Sequence, residues 1–271
     1  MVSEWGEPDK SLEGGFHMDF LLHFGPSHYN DLFRCDEPYF SSIGKGTAKE
    51  FVETYKKNYD KTGGKGLICI PSGNHDMDRL AKRLTPEEMK VAFAFLLSMP
   101  GAPFIYYGDE IGLRYVYGLN SVEGGFHRTG SRSPMQWDKS VNAGFSTARP
   151  DKLYIPLDSA KDRPDAESQM ADEHSLYAQV KKLIAFRGEH PALHNTSAIR
   201  FLDVAGEYPL AYERSCEEEK IMVVINPSAT ACDLESDVTV EDVIYTVGGK
   251  ASVSGNIVHV DGAAAAFVRV K

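Results

Sequence analysis

An amide, an imidazole, a carboxylate and a guanidinium lie within six residues of one another, from Asn74 to Arg79. Asn74, His75 and Asp76 are adjacent, and Arg79 follows three residues later. The apolar run 67–70 comes just before them, which predicts a buried strand with these side chains at its C-terminal end. In α/β proteins, chemistry is usually carried by polar groups at that end of parallel strands. Ordinary turns and helix caps use the same residue types, so the spacing alone leaves a structural role open.

Alternating strand and helix patterns surround this stretch. Strands are predicted at 16–24, 67–70 and 102–110, and helices at 47–59 and 87–98. Thr47 with Glu50, and Thr85 with Glu88, have the spacing of a capping box at the start of each helix. Strands that alternate with helices predict a parallel sheet or barrel, so the fold class is α/β.

The rest of the chain has a different residue pattern. Residues 112–170 are rich in Gly, Pro, Ser and Asn, which predicts a long loop of the kind that is usually functional or a linker. A helix is predicted at 172–187. From residue 196, short β-rich runs alternate with turns. We therefore expect two domains, 1–195 and 196–271, the second of them all-β.

Composition excludes several classes of partner. The 271 residues carry a formal net charge of −10, whereas nucleic acids and anionic membranes bind basic surfaces. The four cysteines are far apart and form no CxxC pair, so buried thiols are expected rather than disulfides or a metal site. No apolar run is long enough to span a membrane, and no signal peptide is evident. We expect a cytoplasmic protein that binds neither nucleic acid nor membrane.

Four segments together resemble the α-amylase family of glycoside hydrolases. Gly73-Asn74-His75-Asp76 is similar to the family's signature at the end of the seventh barrel strand, and 101–112 is similar to its eighth strand. Residues 132–138 and 142–145 are similar to a loop of oligo-α-glucosidases and trehalose synthases, and 172–193 to their last barrel helix. The resemblance implies a partial (β/α)8 TIM barrel, with strands five to eight, over 1–195. It also implies an all-β antiparallel C-terminal domain, a β-sandwich, over 196–271.

The resemblance implies two catalytic residues in this chain. Glu4, at the end of what resembles the fifth strand, would be the general acid/base of a retaining glycosidase, and Glu7 is the competing choice. Asp76 would be the family's third carboxylate, which binds sugar hydroxyls and helps to distort the ring toward the transition state. The acid must hold its proton near neutral pH, which requires a desolvated site or a neighbouring carboxylate.

The implied substrate is an α-gluco-oligosaccharide, and four further residues would bind it. His75 and Asn74 would contact the same sugar as Asp76. Arg79 would close the non-reducing end of the pocket, with an acidic partner from the first half of the barrel, and Arg132 would line the entrance. The resemblance leaves open the choice between α-1,4 and α-1,6 bonds, and between hydrolysis and transglycosylation or isomerisation.

Other parts of the family pattern have no counterpart here. The nucleophile belongs to a Gly-x-Arg-x-Asp motif that precedes the acid/base glutamate, and no such motif precedes Glu4. The segment Gly15–Asp19 is superficially similar, but His17 replaces the arginine and the segment follows Glu4, so Asp19 is interpreted as a sixth-strand residue. No cofactor is expected, and a calcium site would lie in the missing half.

The absent motifs predict a fragment that is inactive on α-glucosides by itself. Open strand edges and apolar faces would drive either self-association or pairing with the missing N-terminal half. The alternative is a non-catalytic scaffold, or a carbohydrate- or partner-binding member of the same fold, like the transporter heavy chains that resemble these enzymes.

Overall fold

The computed structural model describes residues 1–22, 24–122, 124, 126–204 and 206–271, apart from the side chains at 126 and 127. Its α-helices are α1 (Pro8–Glu13), α2 (Tyr29–Phe33), α3 (Lys49–Thr62), α4 (Pro86–Ser98), α5 (Ala166–Ala171) and α6 (Leu176–Glu189). Its strands are β1 (Val2–Ser3), β2 (Met18–Phe20), β3 (Leu67–Cys69), β4 (Ala198–Phe201), β5 (Leu210–Ser215), β6 (Lys220–Asn226), β7 (Cys232–Glu235), β8 (Val240–Val247), β9 (Ala251–Ser254), β10 (Ile257–Val260) and β11 (Ala264–Val270).

Three short strands, β1, β2 and β3, form a parallel sheet in chain order. Ser3 lies opposite Asp19, which in turn lies opposite Ile68. A single parallel bridge from Pro71 to Phe104 adds a fourth segment to the sheet. The predicted strand 102–110 is therefore wrong, because only this bridge forms. Proline has no N–H to donate, and prolines at 71 and 103 remove donors that a longer ladder would need.

Three predicted segments differ in extent from the elements that form. The strand predicted at 16–24 is limited to β2. Helix α1, which the sequence patterns did not indicate, lies between β1 and β2 along the chain. The long loop 112–170 contains α5 and several short 3₁₀ turns. The helix predicted at 172–187 begins at Leu176, where Ser175 caps it by accepting a hydrogen bond from Ala178 N.

From residue 198 onward the described elements are all strands, and they form two antiparallel sheets. One sheet has the order β4-β5-β6-β11-β8, and the other has the order β7-β10-β9. Apolar side chains from both sheets, including Met222, Val224, Leu234 and Val258, pack into one buried cluster. This arrangement agrees with the all-β secondary structure predicted for the segment.

Helix α4 lies at the centre of the larger core. Ten of its thirteen residues are buried, including Phe93 and Phe95. Its core cluster also contains Tyr212 and Phe267, from β5 and β11. The first part of the chain and the C-terminal strands therefore share one hydrophobic core, and the division at residue 195 remains a prediction.

The two predicted capping boxes had different outcomes. At α4 the box forms, since Thr85 Oγ1 accepts from Glu88 N at 3.3 Å and Glu88 Oε2 accepts from Thr85 N at 2.8 Å. At α3 the predicted box is wrong. The helix begins at Lys49, one residue later than the box requires, so Glu50 is not at the third helical position.

The helices of the described residues are too short or too polar to cross a lipid bilayer.

Candidate active site

The segment after β1 and the loop after β3 meet at one edge of the parallel sheet. Glu4 directly follows β1, and Asn74 follows β3. Because the C-terminal ends of parallel strands lie at the same edge, the two side chains come together. Asn74 Nδ2 lies 3.5 Å from Glu4 Oε1 across 70 positions of sequence. The structure therefore places the predicted acid/base residue beside the Asn-His-Asp loop.

Asp76 lies between two guanidinium groups. Its Oδ1 accepts from Arg132 Nη2 at 2.8 Å, and its Oδ2 lies 3.0 Å from Arg128 Nη1. Arg132 Nε also donates to the His75 carbonyl at 3.0 Å, and the His75 ring is exposed, with Nε2 3.5 Å from Asp76 Oδ1. Asn74 Oδ1 accepts from Asp76 N at 2.8 Å. The two ion pairs and the hydrogen bond to Asn74 hold Asp76 in place beside the His75 ring.

Arg79 does not join this group. It is 1% exposed, and its Nη1 lies 3.1 Å from Asp109 Oδ1. The rings of Tyr106 and Tyr107 lie 4.3 and 4.6 Å from its Cζ. The guanidinium is enclosed in this structure, with Nε and Nη2 buried and without hydrogen-bond partners among the described residues, and its predicted role in closing the pocket stays a prediction. The acidic side chain that pairs with Arg79 in this structure is Asp109, from this chain.

A second buried arginine donates hydrogen bonds to the backbone of the Asn-His-Asp loop. Arg34, just after α2, donates from Nε to the Asp78 carbonyl at 2.6 Å and from Nη2 to the Ser72 carbonyl. Its Nη1 donates to Tyr29 Oη at 3.0 Å. Ser72 Oγ in turn donates to Asp109 Oδ2 at 2.7 Å. These bonds attach both ends of the Asn-His-Asp loop to the core, so the loop is held rigidly.

The surroundings of Glu4 and Glu7 separate the two candidates for the acid/base. Glu7 Oε1 accepts from Lys10 Nζ at 2.5 Å, and Oε2 accepts from Trp5 Nε1 at 3.0 Å. The Lys10 hydrogen bond holds the pKa of Glu7 below its ordinary value, which is unsuitable for a group that must donate a proton. Glu4 is exposed and faces Asn74. The next peptide is fixed, because Trp5 N donates to the buried Asp19 Oδ1 at 3.1 Å.

Sequence reasoning missed Arg34 and treated Arg128 as a weaker candidate than Arg132, outside the predicted site residues. The pair Arg128-x-x-x-Arg132 carries only a weak signal. Both residues lie in the 3₁₀ segment Phe126–Arg132, and both guanidinium groups contact Asp76. Arg34 has no comparable signal, since its partners lie about forty residues further along the chain.

The described side chains contain no cluster of three or more His, Cys, Asp or Glu that could hold a metal ion. The expectation that no cofactor binds, and that any calcium site lies elsewhere, is untested and stays a prediction.

Curated proteins similar to this chain include enzymes and one transporter subunit. The chain is 34% identical over 173 residues to the trehalose synthase/amylase TreS of Mycobacterium tuberculosis, covering 58% of this chain and 27% of that protein. It is 27% identical over 212 residues to the oligo-1,6-glucosidase of Parageobacillus thermoglucosidasius, covering 65% and 37%. It is also 34% identical over 133 residues to the human amino acid transporter heavy chain SLC3A1, covering 46% and 19%.

Solved structures with this fold include the trehalulose synthase MutB from Pseudomonas mesoacidophila. That match has a TM-score of 0.75 and 24% sequence identity, and it covers 94% of this chain. The chain spans about half of that enzyme, at 51% of its length. The sequence profile of the α-amylase catalytic domain matches residues 15–196, which include the Asn-His-Asp loop, Arg128 and Arg132. With the profile covering most of the chain, this protein belongs to the α-amylase family.

Proposed function

We propose that this chain forms the acid/base side of an active site that cleaves or transfers α-glucosyl units by a retaining mechanism. One observation carries the proposal. Glu4, the consecutive residues Asn74 to Asp76, and Arg132 come from three distant parts of the sequence, yet they form one connected group at the C-terminal edge of the parallel sheet. Family membership and the names of the enzyme relatives support the same chemistry.

In this mechanism Glu4 and a nucleophilic carboxylate act from opposite sides of the glycosidic bond. Glu4 gives its proton to the glycosidic oxygen as that oxygen leaves the anomeric carbon, and the carboxylate bonds to that carbon. In the second step Glu4, now ionised, takes a proton from water or from a sugar hydroxyl, whose oxygen displaces the carboxylate. Both carboxyl groups return to their starting states, and the choice of acceptor decides between hydrolysis and transfer.

Asp76 and its neighbours have a binding role in this proposal. The Asp76 carboxylate accepts hydrogen bonds from the sugar hydroxyls, and these bonds strengthen as the ring flattens toward the oxocarbenium-like state. Arg128 and Arg132 hold that carboxylate in place. The exposed His75 ring and the Asn74 amide contact the same sugar. Arg79, buried with Asp109, is left out of the binding set.

The nucleophile is proposed to come from a complementary barrel half. The chain spans about half the length of the trehalulose synthase it matches. Strand β1 forms an open edge of the parallel sheet, and Val2, Trp5 and Phe104 are exposed near its two edges. Glu4 is exposed as well, whereas a general acid needs a desolvated site. A second half would cover these groups and would lower the polarity around Glu4.

Two measurements on the pure 271-residue chain test this part of the proposal. We expect no turnover of an aryl α-glucoside, because in this proposal the nucleophile comes from the complementary half. We also expect light scattering to show association, since the open edge and exposed apolar groups favour it. Turnover at a rate typical of the family would refute the proposal that the nucleophile is missing from this chain. A monodisperse monomer would count against the proposal that the open edge binds a second half.

Complementation tests the assignment of Glu4. The chain is coexpressed with a family segment that carries the Gly-x-Arg-x-Asp strand, and hydrolysis of an aryl α-glucoside is followed in the purified pair. We expect Glu4→Gln to lower kcat by about 10²–10⁴, as for loss of a general acid. Glu7→Gln is the matched control and should change kcat little, since Glu7 is engaged with Lys10. Equal losses in both variants, or none in Glu4→Gln, would contradict the assignment.

A non-catalytic role is the second candidate, because the transporter heavy chain is among the relatives. The presence of both Glu4 and Asp76 favours the enzymatic role over the non-catalytic one. A stable complemented pair that binds maltose without cleaving it would instead support the scaffold.

A further inference from the structure

One buried carboxyl group near the candidate site has no part in the proposed function so far. Asp19 lies in the middle of β2 and is fully buried. Its Oδ1 accepts a hydrogen bond from Trp5 N at 3.1 Å, and its Oδ2 is buried without a hydrogen-bond partner among the described residues. A buried polar group that is only half satisfied costs stability, so folding alone does not account for it.

The register of the parallel sheet places Asp19 on the side that faces the helices. Asp19 lies opposite Ser3 on β1 and opposite Ile68 on β3. Ser3 Oγ lies 3.2 Å from Ser11 Oγ on α1, and Ile68 belongs to the core cluster around α4. Residues paired across neighbouring strands point to the same face of a sheet. The Asp19 carboxyl group therefore lies between the sheet and the helices, and it reaches the end of β1 from there.

The hydrogen bond from Trp5 N fixes the peptide that directly follows Glu4. Strand β1 has only the residues Val2 and Ser3, and among the described strands β2 is its one neighbour. At Gly6 the chain bends, with a left-handed φ of 78°. Glu4 thus lies between a short edge strand and a bend, where a backbone with few partners opens easily. An acceptor on β2 limits the rotation of Glu4 about ψ, and with it the direction of the Glu4 side chain.

We propose that Asp19 is a positioning residue for the general acid, acting through the Trp5 peptide without contact with the sugar. This assignment rests on the proposed function, because it requires Glu4 to be the acid/base. A general acid must lie within hydrogen-bond reach of the glycosidic oxygen, and a misplacement of about 1 Å can cost about 10²-fold in rate. The bond to Asp19 supplies a restraint that the short strand β1 does not.

Two substitutions with the branched shape of Asp separate positioning from folding. Asp19→Asn keeps a carbonyl oxygen for Trp5 N, but it puts an amide nitrogen where Oδ2 has no partner. Asp19→Leu loses the acceptor, but it leaves no buried polar atom in the side chain. We expect Asp19→Leu to be at least as stable as Asp19→Asn in urea denaturation and yet to be the less active variant. A purely structural role would give the same order in stability and in activity.

Activity is measured in the complemented pair. Asp19→Leu should lower kcat for phenyl α-glucoside about 10- to 100-fold with little change in KM, because the acid is misplaced while sugar binding is retained. Asp19→Asn should keep a kcat close to that of the parent. The loss in Asp19→Leu should be smaller for nitrophenyl α-glucoside, because its leaving group depends less on a proton from the acid.

The hydrogen bond itself is measured in the pure chain, without enzyme activity. The chain has only two tryptophans, Trp5 and Trp137, so isotope labelling of tryptophan gives two backbone amide signals in NMR spectra, and Trp137→Phe assigns them. The Trp5 amide proton should exchange with solvent about 2- to 10-fold faster in Asp19→Leu, the factor expected for one lost hydrogen bond. In Asp19→Asn it should exchange as in the parent.

Ser11→Ala is the matched control. It removes the contact between Ser11 Oγ and Ser3 Oγ in the same layer and leaves both Asp19 and the Trp5 amide in place. It should change neither kcat nor the exchange of the Trp5 amide. The proposal is overturned if Asp19→Leu keeps the parent's kcat or its Trp5 exchange rate, if Asp19→Asn is as slow as Asp19→Leu, or if turnover of the two glucosides falls equally.

Failure of this inference can be told apart from failure of the proposed function. Turnover that requires Glu4 and is unaffected by Asp19→Leu would remove the positioning role and keep the function. Turnover that does not fall in Glu4→Gln would remove the function, and with it the role of Asp19, whatever the exchange of the Trp5 amide.

Discussion

Three arginines near the site have different roles, and burial separates them. Arg128 and Arg132 are partly exposed and hold Asp76, where a ligand can reach. Arg79 is buried with Asp109, and its positive charge pairs with the Asp109 carboxylate in the protein interior. A buried pair of this kind adds little net stability, yet removing one partner leaves an uncompensated charge in a low-dielectric interior.

Replacing Asp109 by Asn should therefore be strongly destabilising. We expect the free energy of unfolding to fall by about 3–5 kcal/mol, because the Arg79 charge remains buried without a counter-charge. Urea denaturation followed by circular dichroism measures the change. Asp36→Asn, at a solvent-exposed ion pair with Arg83, is the control and should have little effect. If the two variants unfold alike, the Arg79–Asp109 pair has no structural importance.

At the scale of elements, the capping box of α4 also attaches a neighbouring loop. Glu88 Oε2 accepts from Thr85 N, and Oε1 accepts from Ser42 N and Oγ, each at 2.7 Å. Burial alone would raise the pKa of Glu88, but the hydrogen bonds from Thr85 and Ser42 outweigh it and hold the pKa below its ordinary value of 4.5. An acid with a lowered folded pKa stabilises the fold above its unfolded pKa and loses that effect as the pH falls.

Glu88→Gln should therefore show a pH-dependent loss of stability. At pH 7 we expect a loss of about 1 kcal/mol, typical of a damaged helix cap. The gap between variant and parent should narrow as the pH falls below 4.5, where the parent's carboxylate takes up a proton. Urea titrations across this pH range test it, with Glu87→Gln on the same turn as the control. A gap that stays constant with pH would exclude the ionised cap as its cause.

For the whole molecule, the buried guanidinium of Arg214 connects the first part of the chain to the C-terminal sheets, and that of Arg187, on α6, binds the same end of α4. Arg187 donates to the carbonyls of Leu97 at 2.7 Å and Met99 at 2.9 Å, which lie at the C-terminal end of α4. Arg214 on β5 donates to the Ser98 carbonyl and to the His194 carbonyl at 2.7 Å. Burial, with the neighbouring positive charge of Arg187, lowers the pKa of Arg214 to about 10. The carbonyl oxygens at the end of a helix compensate part of this cost.

Arg214→Met should weaken the connection between the two parts. We expect the free energy of unfolding to fall by about 3 kcal/mol, because several charge-assisted hydrogen bonds are lost and their carbonyls stay buried. The parent chain should unfold in one calorimetric transition, since α4, β5 and β11 share a core. Arg200→Met, at an exposed ion pair on β4, is the control. Two separated transitions in the parent would contradict the shared core.

Much of the architecture could be predicted because it depends on local chemistry. The capping box at Thr85 specifies the start of α4, and the apolar residues over most of its surface indicate that it is buried. Turn residues between β-rich runs indicated most of the C-terminal strands. The strand predicted after Gly101 was wrong, because the apolar pattern of this segment does not show that it pairs with its neighbour through one bridge only.

By itself, the sequence determined the family, the order of the elements and the identity of the Asn-His-Asp loop, because these depend on residue types at short spacings. Only the tertiary structure decided which arginines face that loop. Arg79 is three residues from Asp76 and is turned into the core, whereas Arg132 is more than fifty residues away and contacts it. The reason is physical: parallel strands bring remote ends of the chain to one edge, and burial, which sequence spacing does not encode, selects which charges remain there.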